Sequence, residues 1–565
     1  MLRILAGIAI SFVIFIYFVY NFYFSVNFPF QDDFLLIQFI ETVSQGGLGF
    51  VGLVKELFRT FNDHKAVIPR FISLVEYSIT GTLNFRLYIV LVLLNVTYIF
   101  YFLYLQFRKT KLPLYYFLPA PFLFFHPLYH EISGWALNGM QHSYLTAFTV
   151  TAIILVSRRS KWAFYVAMLC CFLATFTHGN GVLSFPAIVF YFLCLKDFKK
   201  AGLTALFMVI CLGIYLAGYE SGQAGKLPKD LISFISSLFG FIGSSMSLWS
   251  NPVVWSALWG AVIIGFMIFI TVKVSAIYFN KPVTVKPGTV ELLTLFAFIF
   301  ITSTVIALFR SWAGSTIASR FQIYACLSTV MFYILLLDYT TIFRKMAVLY
   351  TITALSIFYW AYSHYAYTGV VATKRTTYLA DVYNWQTNRN MFSVEKTIVR
   401  NANFYLLPAY EKGFFKVPQP VATKSQLDSM FIASAAVTDG QQTYLENWQV
   451  QRLVREGVED LTYFFVADNV FPDRKGLLDD RFLVLKDTKT GQIHMMGANA
   501  KIAARKEILT KLTYYKKGFN TFIRNDDLPE SSYELGIIDV KNNGGKRFYR
   551  LGKSLIVTGG KLALR

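Results

Sequence analysis

Two adjacent aspartates, Asp32 and Asp33, lie a few residues beyond the first long apolar segment of the chain. Carboxylates at a membrane–water boundary could serve as a general base, as metal ligands, or as both. Aspartate is also favoured at helix N-termini, so the pair could instead cap a helix that begins at Phe34. Capping accounts for one aspartate more readily than for two. The sequence therefore favours a functional role for the pair and leaves capping as the alternative.

A second polar cluster follows in the same stretch, with Asp63 and His64 a few residues before Arg70. A second acid could share a divalent metal with the first pair or orient an acceptor hydroxyl. Arg70 could clamp a phosphate through two parallel hydrogen bonds. The alternative is a solvated loop in which Pro69 begins the helix that carries Arg70. Both interpretations stay open.

The segment 126–141 combines Trp135 with the amides of Asn138 and Gln141. Aromatic rings that stack on sugars, together with amide groups, are a suitable composition for a carbohydrate site. An aromatic anchor at the membrane interface with ordinary helix caps is the alternative.

Three more polar residues are candidates for substrate binding. His178 stands alone between Thr177 and Gly179, where a satisfied core or interface histidine is the competing interpretation. Arg310 and Arg320 lie at the two ends of a short polar segment and could bind an anionic phosphate or lipid headgroups.

Composition then indicates what kind of protein must position these residues. Of 565 residues, 55% are hydrophobic and only 15% are charged, whereas soluble domains carry about 25% charged residues. A soluble globular protein is excluded. The net charge of +21 does not indicate nucleic acid, because the basic residues lie in short loops between apolar segments and in the polar C-terminal region.

The hydropathy pattern predicts a polytopic α-helical membrane protein with about eleven transmembrane helices. Basic loops at 108–111, 158–161, 196–200, 273–286 and 344–345 orient these helices with the N-terminus in the cytoplasm. The apolar segment 231–248 is rich in Ser and Gly. If it crossed the membrane, every later loop would lie on the opposite side, so we expect a re-entrant or interfacial helix there. The predicted spans are 4–24, 87–106, 112–128, 142–157, 162–177, 181–195, 201–219, 252–279, 291–309, 321–339 and 346–367.

This orientation gathers the polar segments on the outer face. The first outer loop, 25–86, has the mixed spacing of interfacial helices at 34–39 and 48–61. A transmembrane domain at 1–367 would be followed by an outer domain at 368–565. That domain is predicted to be α+β and β-rich, with helices near 387–403 and 447–457 and strands at 482–485, 548–551 and 555–557. A turn is predicted at Asn542-Asn543-Gly544-Gly545.

An acidic pair after the first span, helices in that loop and an outer C-terminal domain resemble the GT-C class of membrane glycosyltransferases. Within that class, the chain resembles bacterial glucosyltransferases that decorate surface polysaccharide such as O-antigen. The resemblance covers about 1–367. It rests on short motifs: Gln31-Asp32-Asp33-Phe34, Asn62-Asp63-His64 to Pro69-Arg70, Trp135 to Gln141, His178-Gly179-Asn180-Gly181 and Ser319-Arg320-Phe321.

The resemblance implies an inverting sugar transfer from a polyprenyl-phosphate donor to a glycan acceptor, at the periplasmic face of a bacterial inner membrane. Asp32 or Asp33 would deprotonate the acceptor hydroxyl, and Asp63 would stand where related enzymes keep a second acid. Arg70 and Arg320 would stabilise the leaving phosphate. The loop lacks an Asp-x-Asp triplet, so the need for a divalent metal stays open.

Three other functions compete with sugar transfer. A flippase or transporter of lipid-linked glycans would need polar residues along its spans, and these spans are strongly apolar. A polymerase or ligase of lipid-linked oligosaccharides would depend on outer loops rich in arginine and histidine. A receptor or scaffold built on the C-terminal domain would leave the first loop unexplained.

Overall fold

A computed structural model describes residues 2–60, 64–158, 160–219, 227–279, 285–311, 317–434, 445–455, 458–467 and 472–565. The chain divides into two compact units. The first unit contains Met1–Tyr23 and Leu35–Tyr367, and the second contains Phe24–Phe34 and Thr368–Arg565.

Helices build the first unit. They are α1 (Leu2–Phe24), α2 (Phe34–Ser44), α3 (Phe50–Phe58), α4 (Val67–Thr80), α5 (Phe85–Lys109), α6 (Pro119–Phe124), α7 (His130–Ser133), α8 (Ala136–Ser157), α9 (Lys161–Thr175), α10 (Ser184–Cys194), α11 (Phe198–Leu216), α12 (Leu231–Gly243), α13 (Pro252–Ser275), α14 (Thr289–Arg310), α15 (Gln322–Tyr339) and α16 (Met346–Asn388). The sequence boundary between the two units falls within α16.

In the described part of the chain, eight helices are long and apolar enough to cross a membrane: α1, α5, α8, α11, α13, α14, α15 and α16. Their outward faces are apolar. In α1, for example, the side chains of Ile4 and Phe15 are 69% and 63% exposed. Such surfaces are stable in contact with hydrocarbon rather than with water. The chain is a multi-pass membrane protein, and its apolar helices contact the lipid bilayer.

Three of the eleven predicted spans are not long helices. The segments at 162–177 and 181–195 form shorter apolar helices, Lys161–Thr175 and Gly179–Cys194. The prediction of one helix over 112–128 is wrong, because this stretch forms three short pieces: the 3-10 turn Leu114–Phe117, the short helix α6 (Pro119–Phe124) and the 3-10 turn Pro127–Tyr129. Each of them begins at or just after a proline, and proline lacks the N–H that a continuous helix needs.

Helices α2, α3 and α4 form the stretch between the first two long helices. The prediction of helices at 34–39 and 48–61 is confirmed in position, since α2 covers Phe34–Ser44 and α3 covers Phe50–Phe58. Helix α4 ends at Thr80, and the glycine that caps it, Gly81, has a φ of 67° in the left-handed region that favours glycine.

The apolar segment at 231–248 forms α12, a helix of 13 residues, followed by a 3-10 turn at Ser244–Met246. It packs against α13 through glycines. A Cβ atom at Gly243 would lie 2.0 Å from Ser256 O, and one at Gly260 would lie 1.9 Å from Phe239 O. The two helix backbones therefore touch, which is a common mode of helix packing in membranes.

The second unit contains helices and two antiparallel sheets. Its further helices are α17 (Lys396–Glu411), α18 (Lys424–Ala433) and α19 (Arg505–Lys511). The strands are β1 (Leu445–Arg455), β2 (Val458–Ala467), β3 (Asp480–Asp487), β4 (Ile493–Gly497), β5 (Asn499–Ile502), β6 (Tyr515–Arg524), β7 (Ser531–Val540), β8 (Lys546–Thr558) and β9 (Lys561–Leu564). The strand orders are β1-β2-β6-β5 and β4-β3-β7-β8-β9.

Strand β3 is covered on both faces, which explains its continuous apolar run. Leu483 and Leu485 pack in one core cluster with Phe519 of β6. Phe482 and Val484 point to the opposite face because side chains alternate along a strand, and they pack in a second cluster with residues of α16 and α18.

The C-terminal prediction is confirmed in its β-rich character and wrong in one element. The predicted helix at 447–457 is strand β1, which pairs antiparallel with β2 from Leu445 to Arg455. The predicted helix at 387–403 corresponds to two helices, the end of α16 and the start of α17. The strands expected at 548–551 and 555–557 form one strand, β8, and the turn before it has Gly544 at a φ of 83°.

Candidate functional site

Three histidines from separate parts of the first unit pack together. The ring centroids of His64 and His178 are 3.9 Å apart, and those of His142 and His178 are 5.0 Å apart. These rings come from the segment before α4, from α8 and from the turn between α9 and α10. We call His64, His142 and His178 the histidine cluster.

Local hydrogen bonds hold His142, His178 and the segment that carries His64. His142 Nδ1 lies 3.1 Å from the hydroxyl of Tyr324 on α15. The backbone N–H of Val67 donates to Phe176 O at 2.8 Å, which ties the segment of His64 to the end of α9. Asn180 N–H donates to His178 Nδ1 at 3.3 Å, so a neutral His178 carries its proton on Nε2.

Glycine permits the close approach of the turn that carries His178. A Cβ atom at Gly179 would lie 3.2 Å from His64 Nδ1, and one at Gly181 would lie 2.0 Å from Ala174 O. The glycines of the motif His178-Gly179-Asn180-Gly181 are therefore needed for the close packing of this turn. Its glycines let the histidine meet its neighbours.

Burial and neighbouring groups together keep His178 neutral. Burial lowers the pKa of His178 well below its ordinary value, and unfavourable interactions of a protonated His178 with His64, His142, Arg310 and Arg320 lower it further. His178 is therefore neutral at pH 7.

Arg320 is held by the short helix α7. Its backbone N–H donates to Glu131 Oε2 at 3.1 Å, and its Nη1 lies 3.8 Å from the same oxygen. The preceding residue, Ser319, donates to Leu128 O at 2.7 Å. These contacts fix the backbone at Arg320 and leave its side chain about one-third exposed.

Arg70 has different partners. It is buried, and its Nη1 donates to the carbonyl oxygens of Leu57, at 3.1 Å, and Arg59, at 2.5 Å. The guanidinium thus binds the C-terminal end of α3, where helix carbonyls lack partners of their own. Burial lowers the pKa of Arg70 to about 10, so it remains charged. The sequence left open that Arg70 lies on a helix that begins near Pro69. Helix α4 is such a helix, and it carries Arg70.

The other polar residues predicted for binding are buried at the start of α8. Trp135 precedes its first residue, and its side chain is 8% exposed. Asn138 Nδ2 donates to Glu131 O at 3.1 Å, which joins α7 to α8. Gln141 is also buried and directly precedes His142.

The aspartate pair belongs to the second unit. Asp33 is 2% exposed, and its Oδ2 accepts from Phe30 N–H at 3.1 Å, which is a capping contact. Asp32 is half-buried in the same 3-10 turn. Asp63 lies outside the described residues. In the sequence, His142 belongs with Trp135, Asn138 and Gln141 to the group considered for carbohydrate binding, and only the tertiary structure brings it to His178.

Within the described ranges, no three His, Cys, Asp or Glu side chains are arranged to hold a metal ion. Comparison with protein-family models, with curated protein sequences and with solved structures gives no match, so no family is identified.

Proposed function

We propose that the chain is a membrane glycosyltransferase that moves a sugar from a polyprenyl-phosphate donor to a glycan or lipid-linked glycan acceptor. The histidine cluster with Arg310 and Arg320 carries the proposal. It brings three imidazole rings of the helical unit into contact, and Arg310 and Arg320 interact electrostatically with His178. A lipid phosphate has the charge and the apolar chain that suit these surroundings.

In the proposed reaction, Asp32 or Asp33 removes the proton of the acceptor hydroxyl. The acceptor oxygen attacks the anomeric carbon, and the bond from that carbon to the phosphate oxygen breaks. Polyprenyl phosphate leaves with the bonding electron pair. Arg310 and Arg320 stabilise the negative charge that develops on the phosphate. The proposal places this reaction at the periplasmic face of a bacterial inner membrane, with the N-terminus in the cytoplasm.

The first experiment measures sugar transfer in membranes that contain the full chain, supplied with a panel of polyprenyl-phosphate sugars. Asp32→Asn and Asp33→Asn are compared with Asp230→Asn, because Asp230 caps α12 by accepting from Ser233 N–H at 2.6 Å. Asparagine is as good a cap as aspartate but a far weaker base. We expect one of the first two variants to lose transfer by about 10²–10⁴-fold, and Asp230→Asn to keep it. Transfer that survives in both Asp32→Asn and Asp33→Asn would refute the catalytic base.

A second candidate function is a polymerase or ligase of lipid-linked oligosaccharides. The histidine cluster favours it, since such enzymes rely on outer segments rich in arginine and histidine. In the same membranes, His178→Gln would then abolish the joining of two lipid-linked glycans, while Asp32→Asn and Asp33→Asn would keep it. Loss of activity in Asp32→Asn or Asp33→Asn supports the glycosyltransferase.

A further inference from the structure

The second unit contains a cavity of about 560 Å³, within the range of roughly 300–1,000 Å³ that is typical of ligand sites. Polar side chains predominate in its lining, which comes from the end of α16, the first turn of α17, β4 and the loop after β6. The lining includes Asn388, Arg389, Lys396, Arg400, Gln492 and His494.

Hydrogen bonds fix the amide groups of this cavity in place. Gln492 Nε2 donates to Asn388 Oδ1 at 2.6 Å. Asn403 accepts from Trp385 Nε1 at 2.8 Å and donates to Arg389 O at 2.8 Å. A network that is already ordered loses little conformational freedom when a ligand binds.

One buried group of the lining lacks a partner. Arg389 itself has a φ of 52°, which is the left-handed conformation common directly after a helix such as α16. The ring of His494 is 3% exposed, and its Nε2 has no hydrogen-bond partner among the residues that the structure describes. A ligand oxygen in the cavity is a suitable partner for such a donor.

The charges of the lining favour an anion. Arg389, Lys396 and Arg400 are basic, and the first turn of α17 adds the positive end of a helix. Of the two carboxylates, Asp527 is paired with Arg524 at 3.0 Å. Arg400 is exposed and has no ion pair or hydrogen bond with any described residue.

We infer that this cavity binds an acidic saccharide, a segment of glycan that carries a carboxylate. Amide groups match sugar hydroxyls, and the basic side chains match the carboxylate. The identity of the ligand as a glycan rests on the proposed function, because a transferase must hold an acceptor. The binding site would then be the acceptor site of the second unit.

The test measures binding to the full chain in lipid nanodiscs by calorimetry. The probes are a hyaluronan tetrasaccharide, which is acidic, chitotetraose, which is neutral and of equal length, and inorganic phosphate. Arg400→Gln and Lys396→Gln are compared with Lys561→Gln, an exposed lysine on β9 that does not line the cavity. A thermal melt verifies that each variant is folded.

We expect the acidic tetrasaccharide to bind wild type at least tenfold tighter than chitotetraose. Arg400→Gln or Lys396→Gln should weaken binding of the acidic tetrasaccharide by about tenfold, which is the equivalent of one charge-assisted hydrogen bond. Lys561→Gln should not change this binding. Equal binding of both tetrasaccharides, an equal loss in Lys561→Gln, or complete competition by phosphate at the same concentration would overturn the inference. Because the assay measures binding alone, it can succeed or fail independently of sugar transfer.

Discussion

At the scale of single residues, Gly181 shows how the site depends on backbone contact. An alanine Cβ at this position would lie 2.0 Å from Ala174 O and 2.4 Å from Thr175 N. Both neighbours are backbone atoms, so the turn that carries His178 would have to move.

We therefore expect Gly181→Ala to lower the free energy of unfolding by about 1–3 kcal/mol, as overpacking does. Its thermal midpoint in detergent should fall accordingly. Gly202→Ala in α11 is the matched control, because no heavy atom lies within 4 Å of its Cβ position and alanine favours helix. A Gly181→Ala protein with the same thermal midpoint as wild type would contradict the packing of this turn.

Residue types alone could identify part of the site. His64, His178, Arg310 and Arg320 were predicted to bind substrate because of their chemistry, but their convergence depends on tertiary structure. Arg70 illustrates the limit of such predictions. Its guanidinium donates to the backbone carbonyls of Leu57 and Arg59 at the C-terminal end of α3. No sequence pattern identifies a carbonyl that lacks a hydrogen-bond donor.

At the scale of elements, α12 and α13 meet where Gly243 faces Gly260. A Cβ atom at Gly260 would lie 1.9 Å from Phe239 O, whereas one at Gly265 on the same helix would meet nothing within 4 Å. We expect Gly260→Ala to destabilise the protein by about 1–3 kcal/mol and Gly265→Ala to leave it unchanged or slightly more stable. Thermal melts of the two variants in the same detergent measure the difference. Equal midpoints would show that α12 does not pack on α13 in this way.

Elements were predictable where a local pattern determines them. The apolar runs of α1, α5, α13 and α14 are long enough to define membrane helices by themselves. Strand β1 was mistaken for a helix because its conformation depends on pairing with β2, and strand preference varies with such context. The proline-rich stretch at 112–128 was apolar enough for a span, but its prolines interrupt the helix.

At the scale of the whole molecule, the chain combines an apolar helical unit with a polar, β-rich unit. Composition was sufficient to predict both parts. The histidine cluster brings three imidazole rings of the first unit into contact, and we propose it as the anion site of the protein. The central claim is that this site binds the phosphate of a polyprenyl lipid.

The most direct test measures the affinity of the full chain in nanodiscs for undecaprenyl phosphate and for undecaprenol, which lacks the phosphate. The variants are Arg320→Gln and, as a control, Arg158→Gln, since Arg158 is exposed at the end of α8 remote from His142. We predict that wild type prefers the phosphate form, that Arg320→Gln weakens its binding by about tenfold, and that Arg158→Gln does not. Equal affinity for the two lipids, or an Arg320→Gln variant that binds as wild type does, would contradict the account.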